Sequence, residues 1–83
     1  KMNYTDAKEF LRIADMAYDA GDYQNAADIV ERVARFAAYD SSDLTQNELY
    51  DLTRAVKHSI ARFTDCPDEA IWEEASALID LFR

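Results

Sequence analysis

Ala17-Tyr18-Asp19-Ala20-Gly21-Asp22-Tyr23-Gln24-Asn25-Ala26-Ala27 decides the fold. It joins two stretches whose apolar residues recur at three- and four-residue spacing, the period of a helix that buries one face. Upstream the face is Ala7, Phe10, Leu11, Ala14, Ala17 and Tyr18. Downstream it is Tyr23, Ala26, Ala27, Val30, Val33, Ala34 and Ala37, widened by Ile29 and Phe36. Gly21 is the only glycine, and glycine accepts the left-handed conformation just past a helix C-terminus. Asp22 is then placed to cap the next helix by accepting from free backbone N–H groups. The pattern predicts helices over about 5–20 and 23–38, antiparallel because so few residues join them.

The second half reads the same way. Asp40-Ser41-Ser42-Asp43 is a polar loop rich in cap formers, and Thr45-Gln46-Asn47-Glu48 matches a capping box. A third helix is expected over about 46–63, with Leu49, Leu52, Val56, Ile60 and Phe63 on its buried face. Thr64-Asp65-Cys66-Pro67 interrupts it. A fourth helix is expected over about 67–82, with Pro67 in the first turn and Ile71, Trp72, Ala75, Leu78, Ile79 and Phe82 facing inward. The expected architecture is therefore all-α, one domain over residues 1–83, with four antiparallel helices as two packed α-hairpins.

Composition narrows the class further. A chain of 83 residues should fold to roughly 5,000 Å² of surface from about 13,800 Å² unfolded, enough for one modest core and not for a deep cleft between lobes. A single Pro beside the single Gly argues against a turn-rich β-sandwich. One Cys excludes an internal disulfide framework and a Cys-cluster zinc site. No apolar run is long enough for a membrane span. The net charge of −8 argues against direct binding to nucleic acid or an anionic membrane. The first 20 residues hold Asp6, Lys8, Glu9, Arg12, Asp15 and Asp19 and no apolar core of a signal peptide, so none is expected; Met2, directly after Lys1, reads as the native start and Lys1 as an addition. The lone Cys fits a cytoplasmic location.

The stretch Phe10 to Val33 resembles a tetratricopeptide-repeat hairpin. That family places a large aromatic, an aliphatic and a small residue on its first helix, here Phe10, Ile13 and Ala14. Its turn often reads Gly-Asp-Tyr, then two residues, then Ala, here Gly21-Asp22-Tyr23 and Ala26. Ala17, Val30, Val33 and Ala38 depart from the pattern, and Asp68-Glu69-Ala70-Ile71 echoes the second-helix opening later in the chain. The match covers about one repeat, and solenoids usually need three or more. The resemblance implies a peptide groove lined by the first helix of each hairpin, with Lys8, Leu11, Asp15, Tyr18 and Asp19 in it, acidic at one end and suited to a basic partner.

The charges divide into explained and unexplained. Asp28 with Arg32 and Glu31 with Arg35 form (i, i+4) pairs in the favourable orientation. Asp15 and Asp19 are a like-charged pair extended by Asp22; Arg12 can offset Asp15 and leaves Asp19 unpaired within its helix. Asp65, Asp68, Glu69, Glu73, Glu74 and Asp80 precede the only nearby base, Arg83. The first three sit where the helix dipole favours negative charge, whereas Glu73 and Glu74 lie beyond that turn. Arg54, Lys57, His58 and Arg62 make an opposite patch, placed to face the acidic fourth helix.

Nothing in the inventory assembles a reactive centre. His58 is the only His, Cys66 has Asp65 and Asp68 beside it to disfavour a thiolate, and no Gly-rich phosphate loop can be built. No enzyme, cofactor or metal is expected. The expected function is a small acidic protein-interaction module, an inhibitor or regulator that binds a basic or amphipathic partner protein. Its expected contact residues are Leu11, Asp15, Tyr18, Asp19, Glu69, Trp72, Glu73 and Glu74, since aromatic anchors dominate binding hot spots. The alternative is a DNA mimic that inhibits a nucleic-acid-binding protein, because acids at (i, i+4) lie about 6 Å apart along a helix, near the spacing of phosphates. Homodimerisation follows if the wide stripe of the second helix leaves Ile29 or Phe36 exposed.

Overall fold

The computed structural model describes residues Lys1–Arg83 as four helices and no strand: α1 (Tyr4–Asp19), α2 (Tyr23–Tyr39), α3 (Gln46–Arg62) and α4 (Glu69–Ala77). Short 3₁₀ segments follow α3 at Phe63–Asp65 and α4 at Leu78–Phe82. The all-α arrangement of packed hairpins is present, with a surface of 5153 Å², close to the area expected from chain length.

The turn that decides the first hairpin is a Schellman motif. Gly21 adopts φ 83°, its N–H donates to the Tyr18 carbonyl, and the Asp22 N–H donates to that of Ala17. No heavy atom lies near enough to clash with an added Cβ, so glycine is required there by its backbone angle alone. Asp22 occupies the cap position of α2, but its side chain accepts no cap hydrogen bond, contrary to the expectation from sequence. Its ψ of 68° departs from the extended conformation that aims a capping side chain at the first turn.

The other caps form. Thr45 and Glu48 complete the capping box of α3. Asn3 caps α1 by accepting from the Asp6 N–H, a signal the helical periodicity does not carry. The fourth helix is shorter than its apolar pattern implies. Asp68 accepts from the Ile71 N–H and so becomes the cap, leaving Pro67 outside, and the helix tightens to 3₁₀ from Leu78. Phe63 likewise lies past the end of α3, in the 3₁₀ turn.

Helix α2 is the centre of the packing. It holds seven of the 18 buried residues and touches α1, α3 and α4. Ala26, Ala27, Ala34 and Ala37 are all at most 5 % exposed, and their small side chains let neighbouring backbones approach. Leu52 and Val56 of α3 and the Phe63 ring fill the space beyond, with Ile71, Ala75 and Leu78 closing the other side. Phe36 is buried and Ile29 packs against the core, so the condition for an apolar homodimer through α2 is not met. Because α1 packs on α2 and α3 but not on α4, the helices form two layers, α1 with α3 and α2 with α4.

Phe63→Ala should cost about 3–5 kcal/mol, since it empties a fully enclosed site, and Gly21→Ala about 1–2 kcal/mol through backbone strain alone. Urea unfolding followed by circular dichroism checks both, with exposed Tyr39→Ala expected within about 0.5 kcal/mol of the parent.

Candidate functional site

Two seams between helices carry the chemistry, one in each layer. The α1–α3 seam is polar. Every side-chain hydrogen bond that joins two helices crosses it, and the partners differ by 43 to 47 in sequence, so α1 and α3 run parallel. At its lower end Asp51 accepts from the Lys8 ammonium at 2.7 Å and from the Tyr4 hydroxyl. These bonds, Lys8 first, hold the Asp51 carboxyl below its ordinary pKa and push Lys8 and Tyr4 above theirs.

At the upper end Arg62 gathers three side chains of α1. Its guanidinium donates to Asp19 at 2.6 Å and to Asp15 at 3.2 Å, and its carbon lies 4.5 Å from the centre of the Tyr18 ring. The Tyr18 hydroxyl donates back to the Arg62 carbonyl at 2.9 Å, and the ring stacks edge-on against Tyr23 and Phe63. The bond to Asp19, with that to Asp15, raises the Arg62 pKa, and burial raises that of the Tyr18 phenol.

Asp15 is therefore held by Arg62 of another helix and not by Arg12, which pairs with Glu9. Asp19 has a partner after all. The patch on α3 turns toward α1 rather than toward α4, through Arg62. Glu31 pairs with Arg35 as expected, but Arg32 lies over the Phe10 ring and Asp28 accepts from Gln24, so the Asp28–Arg32 pair does not form.

Between the two clasps lies an open groove of about 520 Å³, lined by Lys8, Leu11, Arg12, Asp15, Asp51, Arg54, Ala55, His58 and Ser59. Of the groove residues implied by the repeat resemblance, Lys8, Leu11 and Asp15 line it; Tyr18 and Asp19 do not. Leu11 belongs to the core and is 5 % exposed. Both acids that line the groove already have a cationic partner, whereas Arg54, over the Tyr50 ring, forms no ion pair.

The α2–α4 seam has the opposite sign. Carboxylate oxygens of Asp28, Glu31 and Glu74 all lie within 4.8 Å of one another. Glu69 and Glu73 are exposed on the same short helix, and Trp72 between them is 38 % exposed. Of the expected contact residues, the structure thus groups Glu69, Trp72, Glu73 and Glu74 on α4 and commits Asp15, Tyr18 and Asp19 to internal contacts. Asp28 and Glu31 join the acidic group only through the packing of α2 on α4, which no local pattern announces.

No protein-family model matches the chain, and no curated protein or solved structure matches it either. No helix is long and apolar enough to cross a membrane.

The Asp51 clasp has a defined acid limb. Its folded pKa lies below the unfolded value, so its stabilisation is full above the unfolded carboxylate pKa and is lost as pH falls through the folded one. Stability measured by urea titration across that range should fall less steeply in Asp51→Asn than in the parent. Arg62→Met should cost about 1 kcal/mol after allowance for solvent screening, and a double-mutant cycle with Asp19→Asn should show coupling.

Proposed function

We propose that this protein is a non-enzymatic interaction module, an inhibitor or regulator, whose α2–α4 face receives a basic or amphipathic segment of a partner protein. The observation that carries this reading is the convergence of Asp28 and Glu31 of α2 with Glu74 of α4 within 4.8 Å, beside Glu69, Glu73 and a part-exposed Trp72 on α4. Like charges about 5 Å apart repel even in water, by about 1 kcal/mol per pair, and an incoming cation relieves that repulsion. Arg35 already pairs with Glu31, but Asp28 and Glu74 form no ion pair and α4 itself carries no base. Charge steers the encounter and burial of the indole supplies the anchor.

Phosphate mimicry has less to stand on. Asp15 and Asp19, two of the carboxylates it requires, are held by Arg62. The resemblance of the first hairpin to a tetratricopeptide repeat supports an interaction role, but the basic partner it implies is better served by α4 than by the α1–α3 groove. The unpaired Cys66 fits a cytoplasmic setting.

Trp72 is the only tryptophan, so its emission reports on this face directly. Titration with a synthetic amphipathic Lys/Leu helical peptide should shift that emission to shorter wavelength, with affinity falling about tenfold or more between about 50 and 500 mM salt. Glu69→Gln, Glu73→Gln and Glu74→Gln together should weaken binding about tenfold, at roughly 1.4 kcal/mol. The matched change in net charge elsewhere, Asp6→Asn with Asp22→Asn and Asp40→Asn, should cost far less. Equal losses in the two triple variants would reduce the effect to net charge and refute a specific face.

A further inference from the structure

Three cations of this acidic molecule lack a carboxylate partner: Arg32, which lies over the Phe10 ring, and Arg54 and Lys57 of α3, of which Arg54 lines the α1–α3 groove. α1 and α3 together carry five of the nine Lys and Arg residues and the only His. Their acids in the groove are already engaged, Asp51 by Lys8 and Asp15 by Arg62. Arg54, Lys57 and His58 are exposed, form no ion pair, and occupy one side of α3, with Arg54 and His58 lining the groove. Met16, 58 % exposed, lies against Arg12 at the rim and offers an apolar contact beside the charges.

We propose that this groove receives the α4 helix of a second copy of the chain. The argument is complementarity of sign and of spacing. Arg54 supplies the positive charge and His58, four residues on, a hydrogen-bonding neighbour, while Glu69 and Glu73 stand four residues apart on α4, so both pairs present their groups about 6 Å apart along a helix. Trp72, between the two glutamates, meets Met16 at the rim. Groove and acidic seam lie in different layers of the fold, so each copy offers one surface while using the other. The contact is heterologous, and such contacts run head to tail rather than closing as a two-fold dimer. The proposal deepens the reading of α4 as the interaction face, by naming a partner for it.

Sedimentation equilibrium tests it. At about 20 mM salt the weight-average mass of the parent should rise above one protomer with concentration, and at about 500 mM it should return to one. Arg54→Gln/His58→Gln removes the two unpaired basic side chains that line the groove, and Glu69→Gln/Glu73→Gln/Glu74→Gln removes the α4 charge. Each variant alone should stay monomeric, with helicity by circular dichroism as the control for folding. An equimolar mixture should form a 1:1 dimer and stop there, because only one intact junction remains. The α4 variant is the sharper arm: its net charge is smaller, so non-specific association would increase. A parent that is monomeric throughout, or an α4 variant that associates as well as the parent, overturns the proposal. If the parent stays monomeric while Trp72 still responds to the Lys/Leu peptide, self-docking fails and the interaction face stands.

Discussion

The alanines of α2 set the terms for every other contact. Ala26, Ala27, Ala34 and Ala37 are short enough that α1 and the later helices pack close to the α2 backbone, and large side chains such as Phe63 and Leu52 fill only what remains. Each helix spends its apolar stripe on that central helix. The side-chain bonds between helices fall instead on the α1–α3 seam, which ion pairs and hydroxyls close at both ends.

That division of labour governs where charge remains available. A net charge of −8 describes the whole chain but not any surface of it. Asp15, Asp19 and Asp51 are bound to cations of a neighbouring helix, so α1 and α3 together are close to neutral. The excess of acid accumulates on the other layer, where Glu74 comes within 4.8 Å of both Asp28 and Glu31. Solvent-exposed pairs add little stability one by one. Their effect here is to fix the register of two parallel helices and to decide which carboxylates are free.

The legibility of the chain follows the range of each interaction. Helical periodicity, the Gly21 turn and the Thr45–Glu48 capping box are all written within a few residues, and the four-helix architecture could be read from them. The expected burial of Ala26, Val30, Val33 and Ala34 followed from the same periodicity. Helix ends were harder, because a single side-chain acceptor moves them: Asp68 excludes Pro67 from α4, and Asn3 starts α1 earlier than its apolar face does. Asp22 shows the converse, since a residue suited to capping makes no such bond when its backbone angle points it elsewhere.

The candidate surfaces were only half legible, for a reason that separates neighbours in sequence from neighbours in space. The acids of α4 stand out along the chain because no base interrupts them before Arg83. The partners of Asp15 and Asp19 do not, because Arg62 is 47 and 43 residues away and reaches them only once both hairpins have packed on α2. Local pairing rules assigned Arg12 to Asp15 and Arg32 to Asp28, yet an (i, i+4) pair on an exposed helix is worth only about 0.3–0.5 kcal/mol. So small a preference yields readily to a ring face or a better-placed carboxylate, as Arg32 over Phe10 and Arg12 on Glu9 demonstrate. A cluster of charge in sequence therefore becomes a surface only after tertiary packing has removed the members it needs internally, and in this protein the members left over are those of α4.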